Sequence, residues 1–110
     1  MAIQNISEDV LLVELPFKEL QIADELKAVN ERISDNTNFD VIIDFSKVEI
    51  ITSSGIGNLI ILRNLLHRQG RQLILCNVAP VTKCIFVVAG LKDVFDFAGD
   101  KSAALSAVQH

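Results

Sequence analysis

Three hydroxyl residues stand in a row at Thr52-Ser53-Ser54, between the apolar pair Ile50-Ile51 and an apolar run that reads as a helix from about Ser54 to Arg68. Ser and Thr are good N-caps, so one of the three is expected to cap that helix. Capping accounts for one hydroxyl and leaves at least one more exposed at the positive end of the helix dipole. A phosphate added there would bring a charge of about −1.5 to −2 to free backbone N–H groups. Gly55-Ile56-Gly57 follow at once and invite a nucleotide reading, which fails twice. The dinucleotide fingerprint needs a third glycine where Ile60 stands, and a phosphate-cradling loop needs Gly-Lys-Ser or Gly-Lys-Thr, absent here. The two glycines are better explained as a close approach of the helix start to another backbone.

Other chemistry-bearing residues are poorly placed. Cys76 and Cys84 have no ligand partners at metal spacing, and both lie in apolar runs where a free cysteine is expected to be a small buried hydrophobe. His67 sits beside Arg63 and Arg68 near a helix end, and His110 is the last residue, neither with a nucleophile or carboxylate nearby in sequence. A hydrolase is a poor fit. No catalytic residue, metal or cofactor is expected.

The elements that must position the hydroxyls are legible from periodicity. The expectation for the 110 residues is one domain spanning 1–110. Half of the chain is apolar and 22% charged, which excludes disorder. A net charge of −4 without a basic cluster argues against a nucleic-acid surface. Apolar stretches are interrupted too often for membrane insertion. Met1 to Asp9 has no basic segment leading into an apolar one, so the expected address is cytoplasmic.

Val10 to Leu15 reads as a strand ended by Pro16, with Ile3 to Ile6 as a short edge strand before it. Ile22, Leu26, Val29 and Ile33 share one helix face, and Ser34 to Asn38 is a polar turn cluster. Phe39 to Phe45 is a strand covered on both faces, as is Arg71 to Cys76. Gly70 falls where a C-terminal cap belongs. Pro80 opens a third helix that ends near Ala89-Gly90. Val94 to Phe97 gives a short strand, and Asp100 caps a last helix from Lys101 to about Val108. This alternation defines an α/β class: a mixed, mainly parallel sheet of four to five strands with about four helices.

At Asp44-Phe45-Ser46-x-Val48-x-x-Ile51-Thr52-Ser53-Ser54-Gly55-Ile56-Gly57 the chain resembles STAS domains, in particular the bacterial anti-sigma factor antagonists. Their usual pattern is Asp-Leu-Ser-x-Val-x-x-Ile-Asp-Ser-Ser-Gly-Leu-Gly. The resemblance continues through Gly70-Arg71-Gln72-Leu73, Leu75-Cys76-Asn77 and Pro80 to Gly90-Leu91, and covers roughly residues 8 to 108. It implies a partner switch for transcription and signalling, not an enzyme. In the family the unphosphorylated form binds a serine-kinase anti-sigma factor or a related switch kinase. That kinase phosphorylates the first Ser of the motif, which weakens binding, and a PP2C-type phosphatase reverses it. Carried onto this chain, the acceptor is Ser53, with Thr52 or Ser54 as less favoured acceptors and Ser54 as cap or contact residue.

The chain departs from the family pattern twice. Thr52 replaces the usual Asp, removing a carboxylate and adding a competing hydroxyl. Pro16-Phe17-Lys18-Glu19 replaces Gly-x-Leu-Asp in the first loop, where Pro16 stiffens the chain. The expected contact residues are Thr52, Ser54, Gly55, Ile56 and Asn58 at the helix start and Phe17, Lys18 and Glu19 on the loop. For Ile56 a core position under the helix is the stronger reading, and Phe17 reads equally as tucked over the sheet edge. Asn58, polar in an apolar helix, is expected to face out. Two rival readings are a STAS module that is never phosphorylated, as a scaffold or transporter subunit, and a receiver-like or phosphocarrier component. The second would need a clustered acidic pair beside a lysine, or an exposed Cys or His acceptor; Asp44 shows no such partner in the sequence, and Lys83 falls on a helix.

Overall fold

The strand Asp40–Asp44 is buried along its whole length, because it lies at the centre of a sheet covered on both faces. A computed structural model describes residues 3–35 and 38–108, without the side chains of residues 19 and 20. In chain order the elements are β1 (Ile3–Ser7), β2 (Val10–Glu14), α1 (Glu19–Asp35), β3 (Asp40–Asp44), α2 (Ser53–Arg68), β4 (Leu73–Cys76), α3 (Pro80–Val88), β5 (Asp96–Ala98) and α4 (Lys101–Val108). The strands lie in the order β1-β2-β3-β4-β5. Among the described residues only β1 is antiparallel, a bulged edge strand against β2; the other four run parallel.

Alternate residues of the apolar runs feed two cores. Leu11, Val13, Val41, Ile43, Leu73 and Leu75 point toward α1, α2 and α3, where Ile22, Leu26, Val29, Ile33, Leu59, Leu62, Leu66 and Phe86 meet them. Val10, Leu12, Ile42, Ile74 and Cys76 point the other way, against Ala104 and Val108 of α4. A parallel sheet built in strict sequence order with right-handed crossovers places every crossover helix on one face. Helix α4 follows the last strand, makes no crossover, and covers the opposite face.

Turn chemistry fixes the ends. Gly70 (φ +70°) and Gly90 (φ +75°) occupy the left-handed position after α2 and α3. In each case the next residue reaches back, Arg71 N–H to Leu66 O at 2.9 Å and Leu91 N–H to Phe86 O at 2.8 Å, closing a Schellman motif. Asp100 caps α4 by accepting from Ala103 N–H at 2.8 Å.

Two expectations are corrected. The last strand begins at Asp96, because Val94 closes a turn on Leu91 and Phe95 is spent packing edge-on against Phe86. Cys84 is exposed while Cys76 is buried; the apolar residues of α3 extend well beyond one stripe, so its composition did not say which stripe the sheet covers. Asn36, Thr37 and His110 lie outside the described residues.

Candidate functional site

Because β2 to β5 are parallel, the loops after β2, β3 and β4 gather at one end of the sheet. At the opposite end Arg71 closes the structure by contacting Asp40 Oδ2 at 3.3 Å and Asp9 O at 3.1 Å. The gathered end carries the hydroxyl triplet.

The loop from β3 to α2 is held by alternate insertion: Phe45, Val48 and Ile51 are buried, while Ser46, Lys47, Glu49 and Ile50 are exposed. Thr52 then caps α2. Its extended backbone (φ −89°, ψ 169°) directs Oγ1 to accept from Gly55 N–H at 3.3 Å, and its carbonyl accepts the first helical bond, from Ile56 N–H at 3.0 Å. The helix therefore starts one residue earlier than expected, and Thr52 is its cap in place of Ser54. Asp and Thr are both capping residues, so an Asp at position 52 could fill the same role. Ser53 and Ser54 occupy the first two helical positions, exposed, and no protein acceptor among the described residues takes their N–H groups. Replacing Thr52 by Ala should cost about 1 kcal/mol, and Thr52→Asp should restore it; chemical denaturation of the three proteins measures the difference.

Gly55 is a packing requirement. A Cβ there would lie 2.9 Å from Ile51 Cγ1 and 3.7 Å from Ile22 Cγ2, so the close neighbour is a side chain and not a backbone. Gly57 has nothing within 4 Å of such an atom, and no close approach is served there. Opposite outcomes follow. Gly55→Ala should lower stability by about 1–2 kcal/mol through overpacking, whereas Gly57→Ala should raise it by up to about 1 kcal/mol through helix propensity. Thermal unfolding of the pair distinguishes them.

Of the other expected contact residues, Phe17 is 59% exposed and Lys18 is exposed on the loop after β2. The Glu19 side chain lies outside the described residues. Ile56 is half-buried against the main core, so its packing role is the larger one. Asn58 does not face freely outward. It is half-buried at the α1–α2 seam, where Asn30 Nδ2 donates to its carbonyl at 3.0 Å and its own Nδ2 donates to Ser54 O at 3.0 Å. An exposed apolar residue that periodicity passed over, Ile50 at 58% exposure, joins Phe17 at this end.

The sequence also hid a buried carboxylate. Asp44, 2% exposed at the end of β3, accepts at Oδ1 from Ser46 N–H (3.0 Å) and Asn77 Nδ2 (2.9 Å), and at Oδ2 from Ser46 Oγ (3.0 Å). Lys101 Nζ lies 3.6 Å from Oδ2 and 2.8 Å from Glu14 Oε2. Burial alone pushes this carboxyl up, but the Asn77 and Ser46 hydrogen bonds and the Lys101 charge outweigh it and hold it below its ordinary value. Lys101 in turn is held above its ordinary value, chiefly by its hydrogen bond to Glu14. Asn77 adopts a left-handed backbone (φ 56°) to reach Asp44, a conformation Asn tolerates. One carboxylate thus ties the loop before α2 to the turn before α3.

An acidic pair with a lysine is therefore present, Glu14 beside Asp44 in register, contrary to the expectation from sequence. It does not make a receiver site, since the Asp44 side chain is enclosed and saturated by donors. Cys76 is no phosphocarrier either: burial, then the nearby Asp44 charge, raise its thiol to about 11, leaving no reactive thiolate. Among the described residues no group of three or more His, Cys, Asp and Glu side chains is placed to hold a metal ion. No helix there is long and apolar enough to cross a membrane.

An α/β layer with one antiparallel edge strand, a capped hydroxyl triplet at the carboxyl end and an Asp-bound loop beneath it defines the class of protein. The STAS domain family matches residues 20–104, and the chain belongs to that family. Across 77% of its length it is 25% identical to BtrV of Bordetella bronchiseptica, a candidate anti-sigma factor antagonist, 73% of which is covered. An anti-sigma-factor antagonist (STAS) domain protein from Planctomyces limnophilus superposes with a TM-score of 0.83 at 21% identity, covering 98% of both chains. The phosphorylated form of the Bacillus cell fate determinant SpoIIAA superposes at 0.73 with 18% identity, covering 96% of both chains. A sulfate transporter family protein from Wolinella succinogenes superposes at 0.79 with 21% identity, covering 96% of this chain and 89% of its own. These structural likenesses establish the fold, which is that of the anti-sigma factor antagonists and is shared with a transporter-family protein.

Proposed function

We propose that this chain is a phosphorylation-controlled interaction switch. Its unphosphorylated form docks the surface around Ser53 on a serine-kinase anti-sigma factor or related switch kinase, and phosphorylation of Ser53 weakens that contact. A PP2C-type phosphatase resets it. The setting this implies is transcriptional control in a bacterial cytoplasm.

The observation that carries the proposal is the division of labour in the triplet. Thr52 is half-buried and committed to capping, which leaves Ser53 exposed at the first helical position. A dianion there meets the positive end of α2, so the helix tolerates it. The cost falls on a partner surface fitted to a neutral hydroxyl. Phe17 and Ile50, exposed at the same end, supply apolar contact. In calorimetric titration against the kinase that co-purifies with the chain, Phe17→Ala and Ile50→Ala should each weaken binding by about 1 kcal/mol or more, with thermal stability changed by less than about 0.5 kcal/mol. Unchanged affinity in both variants places the interface elsewhere and removes this surface from the proposal.

A further inference from the structure

Helix α3 carries only two polar side chains, Thr82 and Lys83, yet the chain covers only one of its stripes. Thr82 and Phe86 are buried, whereas Val81, Cys84, Val87 and Val88 are exposed, Val81 at 65% and Val88 at 84%. A helix whose apolar residues extend this far beyond one stripe is normally covered on more than one side. Val81, Cys84, Ile85, Val88 and Ala89 line an apolar hollow of about 400 Å³, and the first four follow the spacing that one helix presents to another. Beside it Phe86, Val87 and Phe97 floor a second hollow of about 350 Å³ whose rim is Lys83 and Lys92.

Charge says what covers this face. Residues 77–92 hold two lysines and no Asp or Glu, in a chain of net charge −4. Lys83 Nζ is stationed 4.9 Å over the Phe97 ring, and neither lysine belongs to the salt bridges of the described residues. We infer that the exposed face of α3 docks an amphipathic helix of a partner protein that carries acidic residues along one flank of its apolar stripe. A second copy of this chain fits less well, since pairing two α3 faces brings lysines together, and the next acids along the chain, Asp93 and Asp96, line a separate hollow with Arg63, His67 and Arg71. An anionic membrane fits less well too, because two lysines do not offset the repulsion of a net negative chain. The inference does not depend on the Ser53 switch.

The test titrates the full chain with two designed helical peptides that share one apolar stripe, flanked by Glu in one and by Lys in the other, and follows backbone amide shifts. The Glu-flanked peptide should bind roughly tenfold more tightly, as expected for complementary rim charges, with shifts centred on residues 81–92. Val88→Ser should weaken it severalfold, the double variant Lys83→Glu/Lys92→Glu should reverse the preference, and Ser53→Asp should leave it unchanged. Circular dichroism confirms that each variant is folded. Failure of the Glu-flanked peptide to bind, equal binding of both peptides, or shifts centred away from α3 overturns the proposal. So does self-association, or co-sedimentation with phosphatidylserine vesicles, that Val88→Ser abolishes.

Discussion

Ser53→Asp should weaken binding to the partner kinase by about tenfold or more, a loss of about 1.4 kcal/mol, while the unfolding curve stays close to that of the unchanged chain. The two halves come from one geometry. Ser53 is exposed at the first turn of α2, where a negative charge interacts favourably with the helix dipole by about 0.3–1 kcal/mol, so the domain has no reason to unfold. The same charge at the centre of a docking surface must be desolvated on binding, and an unpaired buried charge is costly. Ser53→Ala should keep binding and lose phosphorylation. Titration calorimetry with both variants, alongside thermal melts, checks the pair. If Ser53→Asp bound as tightly as the unchanged chain, charge at this position would not be the switch.

The second large effect belongs to Asp44. Asp44→Ala strands Asn77 Nδ2 and the Ser46 N–H without their acceptor, at about 2–3 kcal/mol in total for bonds to a charged group. A drop of roughly 10 °C in melting temperature follows for a domain of this size. The effect also has a pH signature. Because the folded carboxyl lies below its ordinary value, its contribution is complete above the unfolded Asp range and is lost as pH falls from roughly 4 toward the folded value. Asp44→Asn should therefore flatten the acid limb of the stability profile, read by denaturant unfolding from neutral pH downward. An acid limb identical in the variant would show that Asp44 is not linked to folding in this way.

What the sequence revealed and what it hid divide along physical lines. The faces of α1 and the doubly buried β3 were legible because each is a local periodicity: Ile22, Leu26, Val29 and Ile33 are all buried, as is every residue of β3. Gly70 was legible because few residues other than glycine tolerate its backbone angle. The Asp44 assembly was not, because its partners lie at Glu14, Asn77 and Lys101, brought together only by strand register and by α4 packing on the far face. The division of the hydroxyls was half visible. Composition required one cap among Thr52, Ser53 and Ser54, but the choice of Thr52 shows only in the folded backbone, where its Oγ1 accepts from Gly55 N–H. Asn58 misled for a related reason. A polar residue in an apolar helix reads as solvent-facing until a second polar residue, Asn30 on α1, is found opposite it.

The proposed switch requires Ser53 to be the residue phosphorylated. Its most direct test is to incubate the chain with the kinase that co-purifies with it and ATP, then to map the modified residue by fragmentation mass spectrometry. One phosphoryl group on Ser53, absent from Ser53→Ala and removed by a PP2C-type phosphatase, is the predicted result. Phosphate on Thr52 or Ser54 in the unchanged chain, or on no residue at all, would contradict it.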